Sequence, residues 1–413
     1  MDNLDFVKPI ENVIINYYED QKELIKKAQT ISLNVLEQLI YFVSCLIHEG
    51  YSPEFHIQIT IPAHKEVKII LPIIEDINKD YFGYYVDWND GLMPVHNIYH
   101  HTYKSIAYEK TYNIKFFGMN IIGYGIGLGT IVSPEIYWNK EISELRNLQK
   151  YLTAVISFGM LGHKFISLKY AFFNCLNNFL VPNNLPPSIT DISFMFEYCY
   201  RFNQPLENWD ISNVQIMNSL FYNCTDFNQP LRLWKTSKIK NMSFIFGKCS
   251  NFNQSLDLWD TSNVIDMRYM FYSCYNFNQP LELWNVSNVR HMEAMFWYCK
   301  IFNQPLNSWD TSKVINMKYL FSCCFDFNQP LNNWNTSKVI DMNSTFFACK
   351  FFNQSLETWD VSNVRDTSDM FCGCSSFYQS VNKWNVKNLI IMKNMFGYCN
   401  SNFIMPHWFI KIN

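Results

Sequence analysis

The phrase Phe-Asn-Gln begins at Phe202, Phe227, Phe252, Phe277, Phe302, Phe327 and Phe352, with a worn copy at Phe377, and every interval is 25 residues. Tryptophan keeps the same period, at Trp209, Trp234, Trp259, Trp284, Trp309, Trp334, Trp359 and Trp384. So does cysteine, at Cys199, Cys224, Cys249, Cys274, Cys299, Cys324, Cys349, Cys374 and Cys399. A period this strict, without insertions, means that each unit is one structural coil that touches only its neighbours.

The unit 264–288 can be read physically. Val264, Met267, Met270 and Phe271 are apolar at helix-like or coil-turn spacing, and Cys274 closes that turn. Phe277, Leu281 and Trp284 are the next inward anchors. Asp260-Thr261-Ser262-Asn263 is turn or cap chemistry, because short oxygen side chains bond to nearby backbone. The varying positions 265–266, 268–269, 272–273 and 282–283 are expected to face solvent. Asn228, Asn253, Asn278, Asn303, Asn328 and Asn353 recur in phase and are expected to form a ladder of buried amides, each satisfied by the adjacent coil. At about 4.8 Å per coil, eight coils would make a rod of about 40 Å. Two looser units come first: Ile189, Ile192, Met195, Phe196 and Cys199, and before them Phe165, Leu168, Ala171, Phe172 and Cys175. Terminal units of a stack are atypical because they cap it. Residues 401–413 leave the repeat, and Phe403, Trp408, Phe409 and Ile410 are expected to fold over the last coil.

Two other regions precede the repeat. Within residues 1–50, Val35, Leu36, Leu39, Ile40, Val43, Leu46 and Ile47 make an apolar helical stripe ended by Gly50 and Pro53. It reads as a helix packed on the next domain rather than one that binds a partner or membrane surface. Within 54–130, apolar and polar residues alternate at Phe55, Ile57, Ile59 and Ile61, at Val67, Ile69 and Leu71, at Tyr84, Val86 and Trp88, and at Tyr112, Ile114 and Phe116. Period two across short segments argues for an antiparallel β-domain, with a tight turn at Asn89-Asp90-Gly91.

Chemistry is sparse. A chain of 413 residues with a net charge of −3 lacks the basic footprint of a nucleic-acid binder. One cysteine per coil makes a line, not a converging metal site, and buried free thiols are favoured over disulfides between stacked coils. His96, His100 and His101 near Asp87 and Asp90 match no ligand signature and read as strand and turn residues. Gly123, Gly125, Gly127 and Gly129 form no phosphate-binding loop. Asn-x-Ser/Thr triplets at Asn223, Asn241, Asn253, Asn285, Asn335, Asn343 and Asn353 are by-products of an Asn- and Ser-rich repeat. No catalytic, cofactor-binding or metal-binding set stands out, so a non-enzymatic protein without a cofactor is expected. The N-terminus lacks a basic, then apolar leader, and the most apolar stretch, 31–47, is interrupted by Asn34, Glu37 and Gln38. This favours an intracellular or virion-associated protein with no transmembrane segment.

Units such as 277–299, Phe277-Asn-Gln-Pro-Leu-Glu-Leu-Trp284 through Met292, Phe296 and Cys299, resemble the BspA-like leucine-rich-repeat surface proteins, whose units read FNQPLxxWDVSNVxxMxxMFxxC. Many members place alanine where this chain has cysteine. Upstream, Val86-Asp-Trp88-Asn-Asp90-Gly91, His101-Thr-Tyr103 and Thr111-Tyr112 are similar to the PKD-like β-sandwich that often precedes such repeats, with Asn89 in place of the usual glycine. The resemblance implies an α/β, leucine-rich-repeat-like solenoid over 150–400 and a PKD-like antiparallel β-sandwich over 54–130; the N-terminal helix within 1–50, which has no counterpart in the family, and the C-terminal cap over 401–413 are expected from the residue pattern alone. The resemblance also implies binding to a protein partner, as an adhesion or interaction protein. The alternative is a structural or surface component of a virion or cell envelope.

Overall fold

A computed structural model describes residues 55–71, 73–75, 85–92, 95–96, 100–103, 108–117, 121–124, 150–158 and 166–412. The helix expected within 1–50, Phe165 and Tyr84 lie outside the described residues. The first part is antiparallel β-structure. Its strands are β1 (Phe55–Ile61), β2 (Val67–Ile70), β3 (Ile73–Glu75), β4 (Tyr85–Asp87), β5 (Val95–His96), β6 (His100–Tyr103), β7 (Lys110–Phe117), β8 (Ile121–Tyr124) and β9 (Leu152–Phe158). Five of them form a sheet in the order β5-β4-β7-β1-β9, and β2–β6 and β3–β8 pair separately. The β1–β7 ladder runs from Phe55 opposite Phe116 to Ile61 opposite Lys110. Alternation buries Phe55, Ile57, Ile59 and Ile61 and leaves the residues between them half-buried, because successive side chains of a strand point to opposite faces. After β4, Asn89 takes a φ of 57° and Gly91 one of 87°. The Asp87 and Asp90 carboxylates accept the N–H of Asn89 and Leu92 at 2.8 and 2.9 Å, which closes the turn.

Strand β9 falls within the stretch read from sequence as the start of the repeat. It pairs with the other edge of β1, with register shifts at His56/Ile57 and Gln58/Ile59. It also meets the first coil: Ala154 bridges Leu180 in parallel, and the Val155 N–H donates to the Leu180 carbonyl at 2.6 Å. The Phe158 ring packs edge-on against Trp209, at 5.8 Å. Sheet and coils therefore share one hydrophobic core.

From residue 166 the chain winds into stacked coils. The expected helical component is not there: among residues 166–406 the backbone is turns, extended segments and single parallel bridges. The hydrogen bonds give the reason. The N–H groups of Met267, Tyr269, Phe271 and Ser273 donate to the carbonyls of His291, Glu293, Met295 and Trp297 in the next coil, at 2.9, 2.9, 2.9 and 2.7 Å. Those of Met270, Tyr272 and Cys274 donate three residues back. Alternate donors thus leave the coil and the rest close tight turns, so the i to i−4 bonds of an α-helix are not formed. Tyr269 and Ser273 reverse the chain with φ of 56° and 57°, and the same two positions are left-handed in coil after coil. One bridge per coil joins Asn241, Asp266, His291, Asn316, Asp341, Asp366 and Ile391 in a single parallel row.

Two of the varying positions expected in solvent are in fact buried. Asp266 is 8% exposed, because it is the bridge residue and its carboxylate turns in to the Arg268 N–H. Ser273 is 7% exposed, because its left-handed backbone lies against the next coil. Tyr269 and Tyr272 are half-buried, while Ile265, Arg268, Glu282 and Leu283 are exposed.

At the C-terminal end the repeat positions are filled by other means. Phe403 packs against Phe377 at 5.7 Å, and Trp408, in helix α1 (His407–Ile412), stacks on Trp384 at 6.4 Å. Phe409 meets Phe396 edge-on. Ile410 does not join them: it is 65% exposed on the outer side of α1.

Candidate interaction surface

The sequence ladders meet as columns running along the stack, and each solves a packing or hydrogen-bond problem. Phe202, Phe227, Phe252, Phe277, Phe302, Phe327, Phe352 and Phe377 stack with centroids 6.0–6.1 Å apart. A second column, including Phe246, Phe271 and Phe296, interleaves with it: Phe271 lies 4.0 Å from Phe277. Trp234, Trp259, Trp284, Trp309, Trp334, Trp359 and Trp384 each donate the indole N–H to a leucine carbonyl of the preceding coil at 2.8–3.0 Å. Trp209, in the first such position, uses the Pro182 carbonyl.

Every column cysteine is a free thiol, and all but the half-buried Cys399 are fully enclosed. The Cys274 thiol donates to the Phe246 carbonyl at 2.9 Å, and the same bond recurs from Cys199 through Cys374. Phe246 O already accepts the Cys249 N–H, so the thiol fills its second lone pair. Burial pushes the Cys274 thiol well above its ordinary pKa and that of Cys399 up to about 12, which keeps them protonated donors.

The asparagine column is half-buried rather than buried. Its side-chain oxygen accepts twice from the next coil: Asn228 Oδ1 takes the Asn253 N–H at 2.9 Å and the Gln254 amide at 3.1 Å. The pattern continues through Asn253, Asn278, Asn303 and Asn328 to Asn353, which accepts from Tyr378 and Gln379. The turn residues behave similarly. Asp260 accepts from Ser262, Thr261 donates to the Asn285 carbonyl, and Asn263 donates to the Ser237 carbonyl.

In the β-domain, His101 lies 3.5 Å from Asp90, stacks on Trp88 at 5.4 Å and meets Tyr103 edge-on at 4.6 Å. Burial lowers its pKa, partly offset by Asp90. Tyr103 donates its hydroxyl to the Trp88 carbonyl at 2.7 Å. These contacts bind the turn to the sheet. Among the described residues no three His, Cys, Asp or Glu side chains converge as metal ligands, and no helix is long and apolar enough to cross a membrane.

What varies from coil to coil lies outside, and the structure sorts it into columns that sequence reading had not separated. One side is aromatic: Phe244 stacks on Tyr269 at 4.5 Å, Tyr272 on Trp297 at 4.8 Å and Trp297 on Tyr319 at 5.1 Å, with the Lys248 ammonium over Tyr222. A second column exposes Leu233, Leu258 and Leu283 in consecutive coils, beside a two-pronged Arg232–Asp257 pair of 2.7 and 2.8 Å. The Arg232 guanidinium holds the Asp257 carboxyl well below the usual range. A third side is a shallow groove along the edge made by Ser-Asn-Val and its equivalents. It holds a hollow of about 700 Å³ lined by Ile315, Lys338, Ile340, Asn363, Arg365 and residues 387–390, and another of about 340 Å³ at Lys238 and Lys240. The signal was present as residue types 25 apart, but only the winding shows which positions share a face.

No curated protein and no solved structure matches this chain. A family model described as "Mycoplasma protein of unknown function, DUF285" matches residues 171–257, 229–325 and 299–408. Together these matches run from 171 to 408, more than half of the 413 residues, and they cover the stacked coils. The chain belongs to this repeat family.

Proposed function

We propose that this is a non-catalytic interaction or adhesion protein that presents the outer columns of its coils to a protein partner. The observation that carries the reading is the division of labour within each coil. Inward Phe, Trp, Cys and Met positions are spent on packing, the Asn and Thr positions on coil-to-coil bonds and the Asp positions on turns within the coil. The remaining positions change from coil to coil at fixed spacing, as in repeat scaffolds whose extended faces bind partners. On this reading the coils form a BspA-like, leucine-rich-repeat-like solenoid of a surface protein. The sheet around β1 and the Trp88–His101–Tyr103 cluster are its PKD-like β-sandwich. The test is affinity capture with the full chain from host-cell surface extract, compared with a chain whose outer aromatic column is changed by Tyr272→Ser and Trp297→Ser. A protein retained by the first and lost by the second is expected. Equal retention by both, or none by either, overturns the reading.

A further inference from the structure

We propose that the groove over coils 313–390 binds a sulfated polysaccharide. The inference rests on the presented-surface reading above and names a ligand class for one face. The cations Lys313, Lys338, Arg365 and Lys387 are exposed on consecutive coils, and among the described residues none forms an ion pair. Lys313 donates to the neutral Asn288 Oδ1, at 2.6 Å, and Lys313 and Lys338 occupy the same column one coil apart. Two carboxylates stand at the rim, Asp310 and Asp360. Bonds from Ser312 and Ser362 hold both below the usual carboxylate range. The bridge-row acids Asp341 and Asp366 lie alongside, with their oxygens engaged by the N–H of Asn343 and Ser368. The neighbouring carboxylates balance the cations over the face as a whole, but the hollow itself is lined by Lys338, Arg365 and Lys387 and by no carboxylate, a local excess of positive charge that favours an anion.

The other lining groups narrow the class. Asn363 and Asn388 donate their amide N–H to the carbonyls of Ser337 and Ser362. This anchors each amide through its nitrogen, and among the described residues nothing bonds to the Oδ1 of either. Each is a positioned, exposed acceptor open to a donor from a ligand. Sugar hydroxyls supply O–H donors; phosphodiester backbones and glutamate side chains do not. The floor is aliphatic, with Ile340 and Ile390 largely exposed, and suits the C–H faces of pyranose rings. It has no aromatic ring to stack a base, which single-stranded nucleic acids require of their sites. Cations for sulfate, fixed acceptors for hydroxyls and an apolar floor therefore occur together.

The probe is heparin, titrated against the full chain at moderate salt, with fully desulfated heparin, poly-L-glutamate and a single-stranded oligonucleotide as comparators. Heparin is expected to bind, with each comparator at least tenfold weaker. The double variant Lys338→Glu and Arg365→Glu is expected to lose about tenfold or more, because reversing a rim charge replaces attraction with repulsion. Both positions are exposed and unpaired, so the thermal melt should not move. Lys350→Glu, a control at a cation that sits over Phe325 on another side, is expected to leave binding unchanged. Failure of heparin to bind, equal binding of poly-glutamate or the oligonucleotide, or an unaffected double variant overturns the assignment. A chain that ignores heparin yet retains its protein partner overturns this inference alone and leaves the presented-surface reading standing.

Discussion

Replacing Cys274 by alanine isolates the role of the thiol column. The Sγ of Cys274 donates to the Phe246 carbonyl at 2.9 Å in a site with no solvent exposure. Alanine removes that donor, at a cost of about 0.5–1 kcal/mol for a weak neutral bond. It also withdraws one buried heavy atom, worth roughly 0.8 kcal/mol on the scale of a methylene. The void it leaves, on the order of 20 Å³, adds about 0.5 kcal/mol at 24 cal/mol per Å³. The total is about 2 kcal/mol. Urea unfolding of the full chain, followed by tryptophan fluorescence, reads it directly, because Trp284 lies in the same core, 6.2 Å from Phe271. A midpoint lowered at unchanged slope is expected. A loss below about 0.5 kcal/mol would refute the reasoning, because it would mean that cysteine there is only a spacer that alanine replaces freely.

Other outcomes follow from the same geometry. Thiol labelling of the native chain should modify Cys399 before the enclosed column, and denaturant should release the rest; rapid labelling of Cys249 or Cys274 without denaturant would contradict their burial. Asn278→Ala should cost about 1 kcal/mol in a thermal melt, since it strands the Asn303 N–H and leaves the Gln304 amide only the Asn278 carbonyl. Ala348 and Gly373 occupy equivalent left-handed positions, with φ of 57° and 79°. Ala348→Gly should therefore stabilise or be neutral, whereas Gly373→Ala should destabilise by about 1–2 kcal/mol, because its new Cβ would also sit 3.2 Å from the Ala348 Cα. Burial raises the Glu197 carboxyl from 4.5 to about 8, so the folded state holds a proton that the unfolded chain releases. Stability should then fall as pH rises between those two values and level off above the higher. Glu197→Gln should flatten that slope in melting temperature against pH, and an unchanged slope would assign it to other groups.

Much of the repeat could be read from its sequence, because the inward residues report their own spacing. Phe277, Trp284 and Cys274 recur without slippage and could only be core. The backbone between them was harder to read. Val264, Met267, Met270 and Phe271 fall at intervals of three, three and one, which a helix and a chain of tight turns share. What separates the two is the left-handed φ at Tyr269 and Ser273, and neither residue type announces it. Strand β9 escaped detection for a related reason. Its two register shifts break the alternation of buried and open residues along Leu152–Phe158, so period two is lost. The groove was hidden because Lys338, Arg365 and Asn388 become neighbours only once the coils are stacked.

The bonds between coils have a consequence for how such a gene can change. The hydrogen bonds that leave the coil at 267–273 end in the coil after it, and the acceptors there lie at the same positions as in its neighbours. A crossover between two misaligned copies of the DNA, in phase, would remove or insert one whole turn of the chain and present the same donors to the same acceptors at the join. Length is therefore free to change by 25 residues at a time with little effect on the rest. Each such step lengthens or shortens the outer columns by one residue apiece, so the reach of the molecule and the number of charges along its groove can be adjusted without a new fold.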